Sequence, residues 1–196
     1  MAKSNKEWLR RHVTDPYVKA ARKQGYRSRA AFKLLEIASK EKLFRSGQTI
    51  VDLGAAPGGW SQVAAEKVKP GGRVIAIDLL DIAPISGVTT LKGDFRQVSI
   101  DTRADAVLSD LSPNLSGITN VDQARWLELA HAAVELCSKT LKPDGVFVVK
   151  AFHGEAFDAL MERLKAVFKK VKVVKPPASR GESTETYLVA RALRHL

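Results

Sequence analysis

The stretch VDLGAAPGGW, residues 51–60, has three glycines and a proline directly after a short apolar run. A strand that ends in a glycine-rich turn and continues into a helix is typical of nucleotide-binding α/β units, because the glycines let the backbone approach a ligand closely. We therefore predict a first strand over 49–52 and a helix over 60–68. The turn indicates where a ligand would bind, but it indicates no reaction.

The same pattern recurs along the chain. Apolar runs that end in a charged residue cover 73–78, 105–110 and 145–150, and a helical pattern over 122–141 separates the last two. Strands that alternate with helices predict an α/β fold with a doubly wound sheet. The remaining predicted elements are a helix over 28–39 capped by Ser28, a helix over 155–168, and strands over 170–174 and 186–190.

Charged residues stand at the carboxyl ends of the predicted strands. They are Asp52, Asp78, Asp110 and Lys150. In a doubly wound sheet, ligands bind beyond these ends. A charge at the end of a buried strand is costly unless it is paired or used, so this row is predicted to belong to the functional site.

Asp78 follows the glycine turn at about the interval at which an acid binds ribose hydroxyls in dinucleotide folds. The turn itself, GAAPGG, matches neither the G-x-G-x-x-G pattern nor a P-loop, which disfavours a pyrophosphate. An adenosine cofactor without phosphates fits better, and S-adenosylmethionine is the obvious candidate. An NAD-dependent oxidoreductase on the same fold is the alternative, although it leaves the basic start of the chain without a role.

The formal net charge of +11 is concentrated at the start of the chain. Residues 1–45 hold 13 Lys or Arg against four Asp or Glu, a net charge of +9. This arrangement favours a polyanionic partner such as nucleic acid over an acidic membrane, since Gly25 and the Asp15-Pro16 pair interrupt any amphipathic helix. The interleaved aromatic residues would stack on bases or, alternatively, anchor the segment to the core. They are Trp8, Tyr17, Tyr26 and Phe32.

Composition excludes several other classes. The single Cys137 excludes an intramolecular disulfide framework and any multi-cysteine metal site, and the four histidines are scattered. No apolar segment has the length of a membrane span. We expect one domain over residues 1–196, a cytoplasmic location, a monomer, and no metal or membrane partner.

The chain resembles the FtsJ/RrmJ family of RNA 2′-O-methyltransferases from about Trp8 to Ala190. The matching motifs, in order, are YRSRAAFKLLEI, VDLGAAPGGWSQ, AIDLL, KGDFR, LSDLSPN, FVVKAF and ETYLVA. The resemblance implies a Rossmann-like methyltransferase fold with an antiparallel last strand and S-adenosylmethionine as methyl donor, with S-adenosylhomocysteine as product. It also implies methylation of a ribose 2′-hydroxyl, with a uridine of large-subunit ribosomal RNA as the expected target, within the large subunit.

The resemblance also assigns residues by motif. The family's Lys-Asp-Lys-Glu catalytic tetrad corresponds to Lys33, Asp110, Lys150 and Glu185. Expected cofactor contacts are Gly54, Pro57, Gly58, Gly59, Trp60, Asp78, Leu79, Asp94, Phe95 and Asp110. The charge of the basic segment 1–45, rather than the resemblance, leads us to expect RNA contacts at Arg27, Arg29 and Lys33.

The chemistry makes sense of these residue types. Methyl transfer requires the ribose oxygen in line with the methyl group, and a base or a positive charge helps so weak an acid to react. Lys150 is predicted to be that base or a hydroxyl-orienting cation, with Lys33 and Glu185 as its electrostatic partners. Asp110 is predicted to bring substrate and methyl donor together.

Alternatives remain at both levels. Without the family, Lys33 three residues before Glu36 is typical of a surface ion pair, and Trp60 and Phe95 are typical of core side chains. Cys137 lies within an apolar helix, which disfavours a cysteine nucleophile for methylation of a pyrimidine carbon. The other functions are a 2′-O-methyltransferase that acts on tRNA or another RNA, and a non-catalytic RNA-binding factor of ribosome assembly.

Overall fold

A computed structural model describes residues 14–114, 116–179 and 183–194. Within these residues, seven strands form a single sheet. In chain order they are β1 (Thr49–Leu53), β2 (Arg73–Asp78), β3 (Val88–Lys92), β4 (Ala104–Ser109), β5 (Leu141–Phe152), β6 (Phe168–Val174) and β7 (Glu185–Leu193). Their order across the sheet is β3-β2-β1-β4-β5-β7-β6.

The sheet is mostly parallel. All neighbours from β3 to β5 pair in parallel, and β7 pairs antiparallel with both β5 and β6. The predicted fold, a doubly wound sheet whose last strand is antiparallel, is therefore confirmed. Parallel strands bring their carboxyl ends to one edge, which is where the predicted row of charges lies.

Helices cover both faces of the sheet. They are α1 (Pro16–Gln24), α2 (Ala30–Glu41), α3 (Gly59–Lys67), α4 (Thr119–Thr140) and α5 (Glu155–Val167). Successive residues of β1 point to opposite faces. Ile50 packs in the cluster that contains α2 and α3, whereas Val51 packs in the cluster that contains α4 and α5. Burial on both faces explains why the strands are continuous apolar runs.

Two elements were not predicted. The Asp15-Pro16 pair interrupts the helical pattern, as expected, since Thr14 is helical and Asp15 is not, but it also begins α1. The Asp15 side chain accepts a hydrogen bond from the Tyr17 N–H, and Pro16 suits the first helical turn. β3 lies at the edge of the sheet and is largely exposed, so the sequence VTTLK carries no strong apolar pattern.

The predicted cap of α2 was wrong. The helix begins at Ala30, and Arg29 stands at its N-cap without a side-chain hydrogen bond. Ser28 lies instead against the first residue of α3, where a Cβ on Gly59 would stand 2.4 Å from the Ser28 hydroxyl. Ser28 therefore packs against the start of α3 and does not cap α2.

Candidate active site

The glycine turn, residues 54–59, is fastened to the end of β2. Gly54 donates its N–H to the Ile77 carbonyl at 3.0 Å, and the Ala56 N–H donates to the Asp78 carboxylate at 2.9 Å. Gly54 has φ +72°, and a Cβ there would meet the Leu111 side chain at 2.9 Å. Any other residue would therefore push the loop after β4 away from the turn.

A cavity of about 400 Å³ lies beyond the carboxyl ends of β1, β2 and β4. Six of the ten residues predicted to contact the cofactor line it, namely Gly54, Asp78, Leu79, Asp94, Phe95 and Asp110.

The carboxylates of Asp78 and Asp94 are both held in place by hydrogen bonds. Asp78 accepts from the N–H groups of Ala56 and Leu80, and Arg96 hydrogen-bonds both oxygens of Asp94 and keeps the pKa of that carboxyl below its usual range.

The other four predicted residues do not line this cavity. They are Pro57, Gly58, Gly59 and Trp60. Trp60 is buried and donates its indole N–H to the Ala30 carbonyl at 2.8 Å, so it packs as a core residue. A Cβ on Gly58 would stand 3.1 Å from the Arg27 guanidinium. The two later glycines thus allow the basic segment to approach the turn, and their contact with a cofactor stays a prediction.

The predicted tetrad comes together from four distant parts of the chain. The Lys150 ammonium donates to the Asp110 carbonyl at 2.8 Å and lies 3.2 Å from its carboxylate. The Lys33 ammonium lies 2.6 Å from the Glu185 carboxylate. Glu36 accepts instead from the Ala178 N–H and the Tyr17 hydroxyl, so the alternative of a surface pair with Lys33 was wrong.

Tyr187 joins the two ion pairs and was missed by the sequence analysis. Its hydroxyl lies 3.3 Å from Asp110 Oδ1 and 3.4 Å from Glu185 Oε1, and its side chain is fully buried. The single hydroxyl proton can serve one carboxylate at a time. Glu185 and Tyr187 are two residues apart along β7 and therefore lie on the same face of the sheet. With Glu185 already assigned to the tetrad, this spacing could have identified Tyr187 as its neighbour.

The register of β7 against β5 sets this arrangement. Tyr187 pairs with Lys150 across the strands, and Glu185 pairs with Phe152. Burial raises the pKa of the Tyr187 hydroxyl, and the negative charges of Asp110 and Glu185 raise it further. Tyr187 is therefore a neutral hydrogen-bond donor at physiological pH.

The Glu185 carboxylate is stabilised as an anion. Burial by itself raises its pKa, but Lys33, a hydrogen bond from Ser179 at 2.9 Å and the charge of Lys150 outweigh that effect, so the pKa lies below its usual range. Glu185 therefore keeps its negative charge beside the Lys33 side chain.

Asp52, at the end of β1, behaves differently. It is fully buried, and one carboxylate oxygen accepts a hydrogen bond from Ser61 at 2.6 Å while the other has no hydrogen-bond partner among the described residues. Burial raises the pKa of Asp52 to about 7; the Ser61 hydrogen bond lowers it, and the charges of Asp110 and Asp78 add to the increase. Asp52 does not line the cavity.

All three residues predicted to contact RNA have partners within the protein. Arg27 donates to carbonyl groups of two loops, Arg29 pairs with Asp15 and also donates to the Ala178 carbonyl, and Lys33 pairs with Glu185. Their contact with RNA stays a prediction.

The aromatic residues of the basic segment pack on one another. The ring of Phe32 lies 5.5 Å from that of Tyr17 and 5.8 Å from that of Tyr26, which favours the anchoring alternative. Trp8 and the rest of residues 1–13 lie outside the described residues.

Two other kinds of site weighed above, a cysteine nucleophile and a metal centre, are checked against the described residues. Cys137 is buried in α4, where desolvation raises the pKa of its thiol. In the described part of the chain, no group of three or more His, Cys, Asp or Glu residues could hold a metal ion. No helix in that part is long and apolar enough to cross a membrane.

A family model described as FtsJ-like methyltransferase matches residues 26–193. The chain belongs to the FtsJ-like methyltransferase family. A relative from Nitrosospira multiformis, named ribosomal RNA large subunit methyltransferase E, is 50% identical over 98% of this chain and 98% of its own length. The family resemblance drawn from the motifs is therefore confirmed.

Two solved structures resemble the chain. A crystal structure from Plasmodium falciparum, named as a ribosomal RNA methyltransferase, shares 28% identity with a TM-score of 0.75 and covers 86% of this chain and 98% of its own. A Streptococcus mutans structure, named as a methyltransferase and determined with S-adenosylhomocysteine, shares 12% identity with a TM-score of 0.56, over 81% of this chain and 95% of its own. The second likeness is one of fold alone.

Proposed function

We propose that this FtsJ-like methyltransferase transfers a methyl group from S-adenosylmethionine to a ribose 2′-hydroxyl of large-subunit ribosomal RNA. The position of Asp110 carries the proposal. Asp110 lines the cavity, and its carbonyl and carboxylate hold Lys150 of the tetrad. A cofactor in the cavity and a substrate at the tetrad would therefore meet at one residue.

The residues around the cavity suit S-adenosylmethionine. Asp78 offers a carboxylate for ribose hydroxyls, while Leu79 and Phe95 offer apolar surface to the adenine ring. The bound cofactor supplies an electrophilic methyl group, whose transfer leaves S-adenosylhomocysteine and releases the hydroxyl proton. The ordered carboxylates of Asp78 and Asp94 need little rearrangement to accept a ligand, which reduces the entropic cost of binding.

Lys150 is the residue best suited to the ribose hydroxyl. Of its three N–H donors, one serves the Asp110 carbonyl and a second faces the Asp110 carboxylate, so one remains for a substrate oxygen. Its side chain is only 9% exposed, so its charge acts with little screening by water. We assign Lys150 as the cation that orients the hydroxyl and stabilises the negative charge that develops on its oxygen.

The rest of the site is formed by Lys33 from α2 and by Glu185 and Tyr187 from β7. The Lys33–Glu185 pair places a second ammonium close to the reacting group, and Ser179 and Tyr187 fix the carboxylate by hydrogen bonds. These contacts keep the charges in position before the substrate binds, so little reorganisation is needed during the reaction.

Exposed cations of α1 offer a surface for the RNA backbone. Lys19, Arg22 and Lys23 are exposed and lie three and four residues apart, whereas Val18 and Ala21 are buried against the protein. We assign RNA phosphate contacts to these three cations, because the guanidinium groups of Arg27 and Arg29 already have protein partners.

The substrate class rests on the name of the close relative. We further propose that the target is a uridine within the large subunit, that residues 1–196 form a single domain, and that the protein is a cytoplasmic monomer.

The proposed function is tested by transfer of labelled methyl from S-adenosylmethionine to large subunits that lack ribose methylation, with free ribosomal RNA and tRNA alongside. We expect label on a ribose 2′-oxygen of the large-subunit RNA.

The Lys150→Ala variant tests the assigned cation in the same assay. We expect the rate of transfer to fall by about 10³-fold while S-adenosylhomocysteine binding stays within a factor of about two. Lys67→Ala, at an exposed position near the end of α3, is the matched control and should keep wild-type activity. Wild-type protein that binds cofactor and RNA but methylates no RNA would favour the assembly-factor alternative.

A further inference from the structure

The linker between α1 and α2, residues 25–29, lies against the outer side of the glycine turn. The Arg27 N–H donates to the Gln62 side chain at 2.9 Å, and the Gln62 amide donates back to the Gly25 carbonyl at 3.0 Å. Trp60 adds its hydrogen bond to the Ala30 carbonyl. The linker is thus fixed to the first turn of α3, directly behind the turn that faces the cavity.

The Arg27 side chain extends from this linker to two different loops. One guanidinium nitrogen donates to the Pro57 carbonyl at 3.1 Å and to the Ala83 carbonyl at 2.7 Å, and the other donates to the Pro84 carbonyl at 2.8 Å. Pro57 belongs to the glycine turn, whereas Ala83 and Pro84 belong to the loop after β2. Arg27 therefore connects the two loops through their main-chain oxygens.

Both loops form walls of the cavity. The glycine turn contributes Gly54 and Ala56, and the end of β2 with the following loop contributes Asp78, Leu79 and Leu80. Leu79 and Leu80 are more than 60% exposed, so side-chain packing does little to hold this second wall. The hydrogen bonds of Arg27 join this loop to the glycine turn, whereas the Lys92–Asp81 ion pair joins it to β3.

The contact depends on the shapes of both partners. Gly58 has φ +109°, and a Cβ there would stand 3.1 Å from the Arg27 guanidinium and 2.6 Å from the Ile85 side chain. A planar guanidinium with several N–H groups in fixed directions can serve three carbonyls at once, whereas a single ammonium cannot reproduce that fork.

We propose that Arg27 is a positioning residue of the cofactor cavity, which holds the glycine turn and the loop after β2 at the separation that the cofactor requires. The inference rests on the proposed function, since the cavity is taken to bind S-adenosylmethionine. It assigns Arg27 to cofactor affinity, although the residue stands in the most basic part of the chain. Substituting Arg27 therefore weakens cofactor binding and leaves the salt dependence of RNA binding unchanged.

The test compares Arg27→Ala and Arg27→Lys with Arg22→Ala, a variant of an exposed cation on α1. For Arg27→Ala we expect the S-adenosylhomocysteine Kd and the KM for S-adenosylmethionine to rise about tenfold, with kcat at saturating cofactor nearly unchanged. Arg27→Lys keeps the charge but loses the fork, so its cofactor affinity should lie between those of Arg27→Ala and the wild type.

Arg22→Ala should show the opposite behaviour, with a salt slope of RNA binding reduced by about one and unchanged cofactor affinity. If Arg27→Ala binds S-adenosylhomocysteine like the wild type, or reduces the RNA salt slope instead, the inference is wrong. If Arg27→Ala does not fold, as judged by its thermal unfolding without ligand, Arg27→Lys decides by the same criteria. Wild-type protein that fails to bind S-adenosylhomocysteine would overturn the proposed function itself.

Discussion

The cavity and the tetrad meet at Asp110, but they are built in different ways. The cavity is formed by loops whose main-chain groups are held largely by the side chains of Asp78 and Arg27, and a residue on its wall such as Leu79 is 67% exposed. The tetrad is formed by side chains from α2, β5, β7 and the end of β4, and Tyr187 at its centre is fully buried. The difference indicates that substitutions at the cavity change affinity for the cofactor, whereas substitutions in the tetrad change the rate of the reaction.

Asp110 should break this division, because it belongs to both regions. Asp110→Ala removes a wall of the cavity and the carboxylate that faces Lys150, so we expect kcat/KM to fall by about 10³-fold or more, with losses in both kcat and cofactor affinity. Steady-state kinetics and S-adenosylhomocysteine titrations measure the two effects separately. A variant impaired in only one of them would show that Asp110 serves one region alone.

Tyr187→Phe should sharpen the division. The variant keeps the buried ring but removes the hydroxyl that lies between Asp110 and Glu185, so the two carboxylates lose their shared donor. We expect kcat to fall about tenfold, with an S-adenosylhomocysteine Kd close to that of the wild type. Wild-type kcat in this variant would mean that the hydroxyl has no part in positioning the tetrad.

Asp52 lies beneath both regions and should affect stability more than activity. Because the pKa of Asp52 rises from 3.8 to about 7 on folding, the folded state keeps a proton that the unfolded state releases between about pH 4 and 7. The contribution of Asp52 to stability is therefore lost as the pH rises through this window, and the loss is complete above about pH 7.

The Asp52→Asn variant tests this assignment by urea unfolding at pH 5 and pH 8. Since asparagine does not titrate, we expect the wild type to lose up to a few kcal/mol more free energy of unfolding between these values than the variant does. Exposed Asp101→Asn is the control and should follow the wild type. Parallel pH profiles for the wild type and Asp52→Asn would contradict the raised pKa.

Features that depend on residues close together in the sequence could be predicted, whereas contacts between distant residues could not. The spans of β2 and of the helix after the glycine turn follow from local periodicity and agree with the structure within a residue or so. The edge strand β3 was not predicted from the sequence, because an exposed strand needs few apolar side chains. The tetrad residues were identified by motif, and their roles in the reaction stay predictions.

The sequence by itself determined the alternation of strands and helices, the glycine turn and the charged ends of the strands, since each depends on neighbouring residues. Tertiary structure alone decided which charges pair. Lys33 pairs with Glu185, 152 residues away, rather than with Glu36 on the same helix, because α2 packs on the face of the sheet to which β7 contributes Tyr187. The tertiary structure also places the Arg27 guanidinium between two loops of the cavity. This contact joins distant parts of the chain, and no local sequence pattern encodes it.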